Sequence, residues 1–181
     1  MKQKYQSLPH GSTSLRESIF EQRSELNRRY MLSLSSRNLL QNHYLTAGLW
    51  GPDHLPRDCH GGWESPTCQI RGHFLGHWLS AAANYYATAK DYELKGKADW
   101  IVNEIAKCQK ENGGEWAGSI PEKYLDWLVQ GKKVWAPQYV LHKTLMGLLN
   151  AYSLTGNEQA LDVVIKWSRW FHRWLEQFKR E

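Results

Sequence analysis

Residues 61–83 read GGWESPTCQIRGHFLGHWLSAAA. Gly, Trp and Pro at the start of this stretch specify a rigid turn, and the pattern then becomes helical. Leu75, Leu79, Ala82, Tyr86 and Ala89 recur at spacings of four and three, the stripe of one buried helix face. Two histidines, His73 and His77, stand one turn apart where that helix opens. The same construction returns in Val134–Lys143, VWAPQYVLHK, where a Trp/Pro turn opens a helix with an early histidine, His142. Each of these helices is followed by another. Leu75–Gln109 and Leu141–Gln177 match in order, with Tyr86 and Tyr152 before the turn and Trp100 and Trp167 after it. A helical hairpin repeated in this way predicts a solenoid or an α/α toroid, because each pair needs neighbours to bury its flanks. Two polar, aromatic helix starts predict one wall of a substrate cleft.

The remaining segments fit the same class, and none alternates as a strand would. Ser14 is expected to cap a helix beginning near Leu15, with Leu26, Tyr30 and Leu34 inward and Leu39 and Leu40 in its continuation. Leu94–Lys110 turns Ala98, Ile101, Ile105 and Cys108 or Gln109 to the core. Gln138–Leu154 aligns Leu141, Leu145, Leu148 and Tyr152. The last helix, Glu158–Phe178, aligns Leu161, Val164, Ser168, Phe171, Leu175 and Phe178. Beside that stripe runs a second, Trp167, Trp170 and Trp174, so its apolar face is wide enough to need a further neighbour. The expectation is an all-α, incomplete toroid. Gly48–Gly62 reads as a Gly/Pro-rich loop. Glu111–Trp135 reads as a long irregular connection, and connections of that length in a compact domain are usually functional.

The chain has 181 residues, enough for one domain with a real core. No run approaches the ~20 apolar residues of a membrane span. The N-terminus lacks the apolar region of a secretory signal, so a cytoplasmic location is expected. The three cysteines, Cys59, Cys68 and Cys108, have no paired spacing and are expected as reduced thiols. A net charge of +5 invites a nucleic-acid partner, but the basic residues are scattered: Arg28-Arg29, Lys132-Lys133 and Lys179-Arg180 sit far apart and beside acids. No nucleic acid and no membrane is therefore expected. Ten tryptophans are a heavy load for this length. Indoles fill wide gaps between helices, and on loops they offer flat faces on which sugar rings stack.

Several long tracts, in order, resemble the N-terminal part of the catalytic domain of bacterial β-L-arabinofuranosidases, glycoside hydrolase family 127 and relatives. They are LNRRYMLSL (Leu26–Leu34), NLLQNHYLTAGL (Asn38–Leu49), GGWESPTCQIRGHFLGHWLSA (Gly61–Ala81), GSIPEKYL (Gly118–Leu125) and VWAPQYVLHKTLMGLLNAY (Val134–Tyr152). The resemblance covers the chain from about Leu15. It implies residues 1–14 as a flexible N-terminus and 15–181 as the N-terminal portion of an (α/α)6 barrel, here partial and truncated. It further implies retaining hydrolysis of terminal β-L-arabinofuranosyl linkages, with an arabinose-containing oligosaccharide or glycan as partner. The family's nucleophile is a cysteine in a zinc site made from a glutamate and three cysteines, with another glutamate as acid/base. A metal-bound thiol is deprotonated, so it can attack an anomeric carbon. No cysteine follows Cys108, so zinc is expected only in a full-length enzyme, and no catalytic residue is assigned to this chain.

His142 leads the candidates for substrate binding. The resemblance implies that it points into the barrel mouth, and a neutral imidazole offers sugar hydroxyls one donor and one acceptor. His73, Glu64 and Asn27 are further candidates, as are the loop residues Trp63, Trp116 and Trp135. His73 and His77 are spaced as two ligands of one metal, but HFLGH lacks the glutamate of a zincin motif, so packing roles are expected. Cys59, His60, Cys68 and His73 do not have zinc-ligand spacing. Glu64, Glu115 and Glu122 place three carboxylates near loops, where capping and loop hydrogen bonds compete with a two-carboxylate glycosidase. The competing class is a non-catalytic helical module that binds sugar or dimerises through Trp167, Trp170 and Trp174.

Overall fold

The computed structural model describes residues 5–50 and 58–178. Part of the Gly48–Gly62 loop and the pair Lys179-Arg180 lie outside the described residues. Among those described there are seven α-helices and no strand: α1 (Ile19–Ser33), α2 (Ser36–Thr46), α3 (His73–Ala89), α4 (Tyr92–Glu111), α5 (Lys123–Val129), α6 (Pro137–Thr155) and α7 (Glu158–Glu176). The all-α expectation holds.

The repeat has a local cause. The turn between α3 and α4 places Lys90 in the left-handed region (φ 56) and then Asp91, whose carboxylate accepts the N–H groups of Glu93 and Leu94, both at 3.0 Å. The turn between α6 and α7 repeats this with Gly156 (φ 74) and Asn157, which accepts the N–H of Ala160 at 2.9 Å. A left-handed residue ends one helix and an Asx cap starts the next, so both reversals take only two residues.

The helices form two layers. Contacts between α1–α2 and α4 climb in step: Arg28 pairs with Asp91 and Glu93, Lys97 Nζ donates to the Leu32 carbonyl at 2.9 Å, and the Tyr44 hydroxyl donates to Glu104 at 2.8 Å. Asn157 to Asp99 (2.6 Å) and Gln109 to the Val163 carbonyl (2.9 Å) join α4 and α7 in the same sense. The outer layer is thus α1–α2, α4 and α7, all parallel. The inner layer is α3 and α6, parallel to each other and reversed relative to the outer one. They approach backbone to backbone: a Cβ on Gly76 would lie 2.0 Å from the Lys143 carbonyl oxygen, and one on Gly147 would lie 2.6 Å from that of Gly76. Leu40, Leu79, Leu94, Ile101, Ile105 and Leu148 fill the space between layers and are fully buried. This is the arrangement of a partial α/α barrel.

Two expectations are corrected. First, α1 starts at Ile19, not Leu15, because Ser18 accepts the Glu21 N–H in a Ser-x-x-Glu cap. Extended backbone at Leu34 then breaks it from α2, and Leu26 and Tyr30 are exposed. Second, the inward side of α7 is Ala160, Val163, Val164 and Trp167, whereas Leu175 and Phe178 face outward. The tryptophan row of α7 meets this chain's own 115–130 segment on one side. Trp167 is fully buried, with the Trp116 ring edge-on at 5.6 Å. The half-buried Trp170 and Trp174 donate their indole N–H groups to Glu122 (2.7 Å) and Asp126 (2.8 Å).

Candidate functional site

The two-residue reversals lie at one end of the molecule. The described parts of both long connections, 47–50 with 58–72 and 112–136, lie at the other, where α3 and α6 begin. This end carries the candidate residues other than Asn27, and α2 holds the first loop in shape there. Gln41 donates to the carbonyls of His60 (2.9 Å) and Glu64 (2.8 Å) and accepts the His60 N–H (2.7 Å), while Asn42 donates to the Glu64 carbonyl (2.9 Å). Gln41 and Asn42 are themselves buried, so these bonds are sheltered from water. The two loops also interlock. Gly72 has φ 87, and a Cβ there would fall 2.0 Å from Ser119 Oγ, which donates to the Arg71 carbonyl at 3.1 Å.

His73 is the first residue of α3. Its ring lies 6.3 Å from those of Trp63 and His77 and 5.8 Å from that of Tyr139. His77 Nε2 and the Tyr139 hydroxyl are 3.0 Å apart, and Lys143 Nζ sits 5.0 Å from the Tyr139 ring centre. Burial lowers the His77 imidazole below its usual value, and Lys143, His73 and His142 lower it further. A neutral imidazole at pH 7 follows, paired with a phenol and flanked by the first turns of two helices. His142 is exposed one turn after Tyr139. It borders a cavity of about 450 Å³ shared with Gln138, Leu145, Leu128, Phe171 and Trp174.

Glu64, on the 3-10 turn Gly62–Glu64, does not project into the cleft as a free carboxylate. Oε2 accepts the Gly72 N–H (2.6 Å) and Oε1 that of Phe74 (3.0 Å), so the side chain caps α3 from outside the helix. Glu115 pairs with Arg173, and Glu122 is bonded to Trp170. The three carboxylates therefore have separate structural partners and do not form the acid pair of a glycosidase.

Of the tryptophans, Trp63 and Trp135 are exposed at this end, and the Trp135 backbone N–H is held by Gln69 at 2.9 Å. Trp116 is a correction. It is 1% exposed and donates its indole N–H to the Ile120 carbonyl at 3.0 Å, so it is core. Asn27 is exposed on α1, with Met31 Sδ at 3.7 Å, and has no bond to the histidine group. The structure thus brings Trp63, Glu64 and His73 together, with His142 alongside, and leaves Asn27 and Trp116 out. Sequence reasoning passed over Tyr139, although its position three residues before His142 puts the two on one helical face. It also set aside His77.

The residues do not fit the zinc–thiolate that the resemblance implies. Cys108 is buried in the core, where desolvation and Glu104 push its thiol up to about 12. Burial also raises Cys59. Among the described residues no three His, Cys, Asp or Glu side chains converge as metal ligands. Nor is any described helix long and apolar enough to cross a membrane.

No curated protein sequence matches the chain. A family model described as β-L-arabinofuranosidase, GH127 catalytic domain, matches residues 12–181, nearly the whole length. The hairpin repeat, the loop-bearing end and this match agree: the chain belongs to the GH127 β-L-arabinofuranosidase catalytic-domain family of glycoside hydrolases.

Proposed function

We propose that the loop-bearing end of this chain is the sugar-binding wall of a hydrolase acting on terminal β-L-arabinofuranosyl linkages. The observation that carries this reading is the convergence of His73, His77 and Tyr139 within about 6 Å where α3 and α6 begin. The His77 imidazole and the Tyr139 phenol can each donate and accept, as the hydroxyls of a sugar ring require. Trp63 and Trp135 flank the group as exposed apolar faces for sugar C–H surfaces. His142 extends the polar row toward the cavity beside α6. In this reading the chain binds and orients the glycan, and the bond-breaking residues are not among those described.

Isothermal titration of the chain with methyl β-L-arabinofuranoside and with its α-anomer tests this. Saturable binding of the β-anomer, weakened at least tenfold by Tyr139→Phe or His142→Ala, is expected. Equal binding of both anomers, or binding that survives both substitutions, would remove this end as the sugar site.

A further inference from the structure

The ring of His73 is fixed from one side. Its Nδ1 lies 3.0 Å from the Ile70 carbonyl oxygen and 2.8 Å from Glu64 Oε1. Both neighbours are acceptors. A bare Nδ1 would turn its lone pair onto two oxygens at contact distance, so the proton of the neutral ring belongs on Nδ1. Among the described residues Nε2 has no hydrogen-bond partner, yet it is not sealed from solvent.

Glu64 is held just as firmly. Besides the N–H groups of Gly72 and Phe74, the Asn42 amide donates to it at 3.3 Å. Every neighbour is a donor, which suits a carboxylate acting purely as acceptor, and its side chain is only 13% exposed. None of its contacts is available to a ligand. Its influence on the cleft must pass through His73.

We propose that Glu64 is a positioning residue: with the Ile70 carbonyl it locks His73 as the Nδ1–H tautomer and so presents Nε2 to the cleft as a hydrogen-bond acceptor. This rests on the reading of the cleft as a sugar site, and it adds a specificity. The position facing Nε2 takes a hydroxyl that donates, and it rejects an ether or deoxy position there. A histidine side chain free in water favours the opposite tautomer, so the lock changes what the site reads. A helix cap alone would stabilise α3 without doing this.

Two-bond ¹H–¹⁵N correlation spectra of the ¹⁵N-histidine-labelled chain report the tautomer directly. The wild type is expected to show His73 as Nδ1–H. In Glu64→Ala, where only the neutral Ile70 carbonyl remains, the ring is expected to move toward a mixture of tautomers. Affinity for methyl β-L-arabinofuranoside should fall about tenfold, as for loss of one oriented hydrogen bond. If the Ala variant does not fold, the isosteric Glu64→Gln removes the charge beside Nδ1, with the same redistribution expected. An Nε2–H ring in the wild type would overturn the proposal. So would an unchanged tautomer in a folded variant, which would leave Glu64 as a helix cap. A tautomer that responds to Glu64 in a chain that binds no sugar would instead sink the sugar-site reading alone.

Discussion

Gly76→Ala should destabilise this protein even though alanine is the better helix former. A Cβ at Gly76 would stand 2.0 Å from the Lys143 carbonyl oxygen, 2.1 Å from its carbon and 2.6 Å from the Thr144 nitrogen. Ordinary contact begins at 3.4 Å, so the deficit is about 1.4 Å, and the opposing atoms are backbone that no rotamer change can move. The inner helices must part. A gap of about 1 Å forfeits a quarter to a half of each contact across the interface, and overpacking of this kind costs typically 1–3 kcal/mol. The upper end applies here, because the whole of α6 must shift. Against it stands a gain of about 1 kcal/mol in helix propensity. The net loss is about 2 kcal/mol, which for a chain of this size lowers the midpoint of thermal unfolding by roughly 4–8 °C. Gly96, on the exposed side of α4, is the control, because a Cβ there meets nothing within 4 Å. Gly96→Ala should stabilise by about 0.5–1 kcal/mol. Thermal and urea unfolding followed by circular dichroism at the helix band measures both. If Gly76→Ala matched or exceeded the wild type, the close approach of α3 and α6 would be wrong.

Three other outcomes are expected. His43 is fully buried with neither ring nitrogen bonded among the described residues, and desolvation pulls its imidazole down to about 4. The unfolded chain takes up this proton near pH 6.5 and the folded one only near 4, so stability present at pH 7 is lost as pH falls through that window, by roughly 3 kcal/mol. Urea midpoints at pH 7, 6 and 5 should fall less steeply in His43→Leu, and parallel slopes would refute this. The two hairpin turns give opposite responses at equivalent positions. Lys90→Gly should stabilise by about 0.5–1 kcal/mol by relieving left-handed backbone, and Gly156→Ala should destabilise by about 1 kcal/mol. Trp116→Phe keeps an aromatic six-membered ring but removes the pyrrole ring and its N–H bonded to Ile120. It should cost about 1–3 kcal/mol in urea unfolding and leave the affinity for arabinofuranoside unchanged, whereas a loss of affinity would return Trp116 to the cleft.

The hairpins were legible because their signals are local. Asp91 and Asn157 announce helix starts, and the stripes of α3 and α4 have one reading each. The inward face of α7 was not legible, because two apolar stripes share that helix. What chooses between them is the 115–130 segment, which folds over the tryptophans from some fifty residues earlier. The same segment misled the reading of Trp116, since a residue between glycines looks exposed until its indole N–H is found bonded to Ile120. Ser18 was available as the cap of α1 through its Ser-x-x-Glu pattern and was passed over for Ser14. At the candidate site, the turn-plus-histidine tracts fall together at one end of the molecule, where α3 and α6 begin. The role of Glu64 was hidden, because only the folded loop shows that donors surround it.

The meeting of Gly76 and Gly147 also orders events during synthesis. These glycines are about 70 residues apart in the chain yet touch through their backbones. The first hairpin, α3 with α4, can form as soon as it leaves the ribosome, but the flank of α3 around Gly76 then has no partner until α6 follows. Over that interval a bare strip of helix backbone and apolar side chains faces water, the kind of surface on which nascent chains stick to one another. Closing it needs a long chain segment to return, which is slower than local helix pairing. His77 and Tyr139 meet across this same seam, so the cleft takes shape only with that late step.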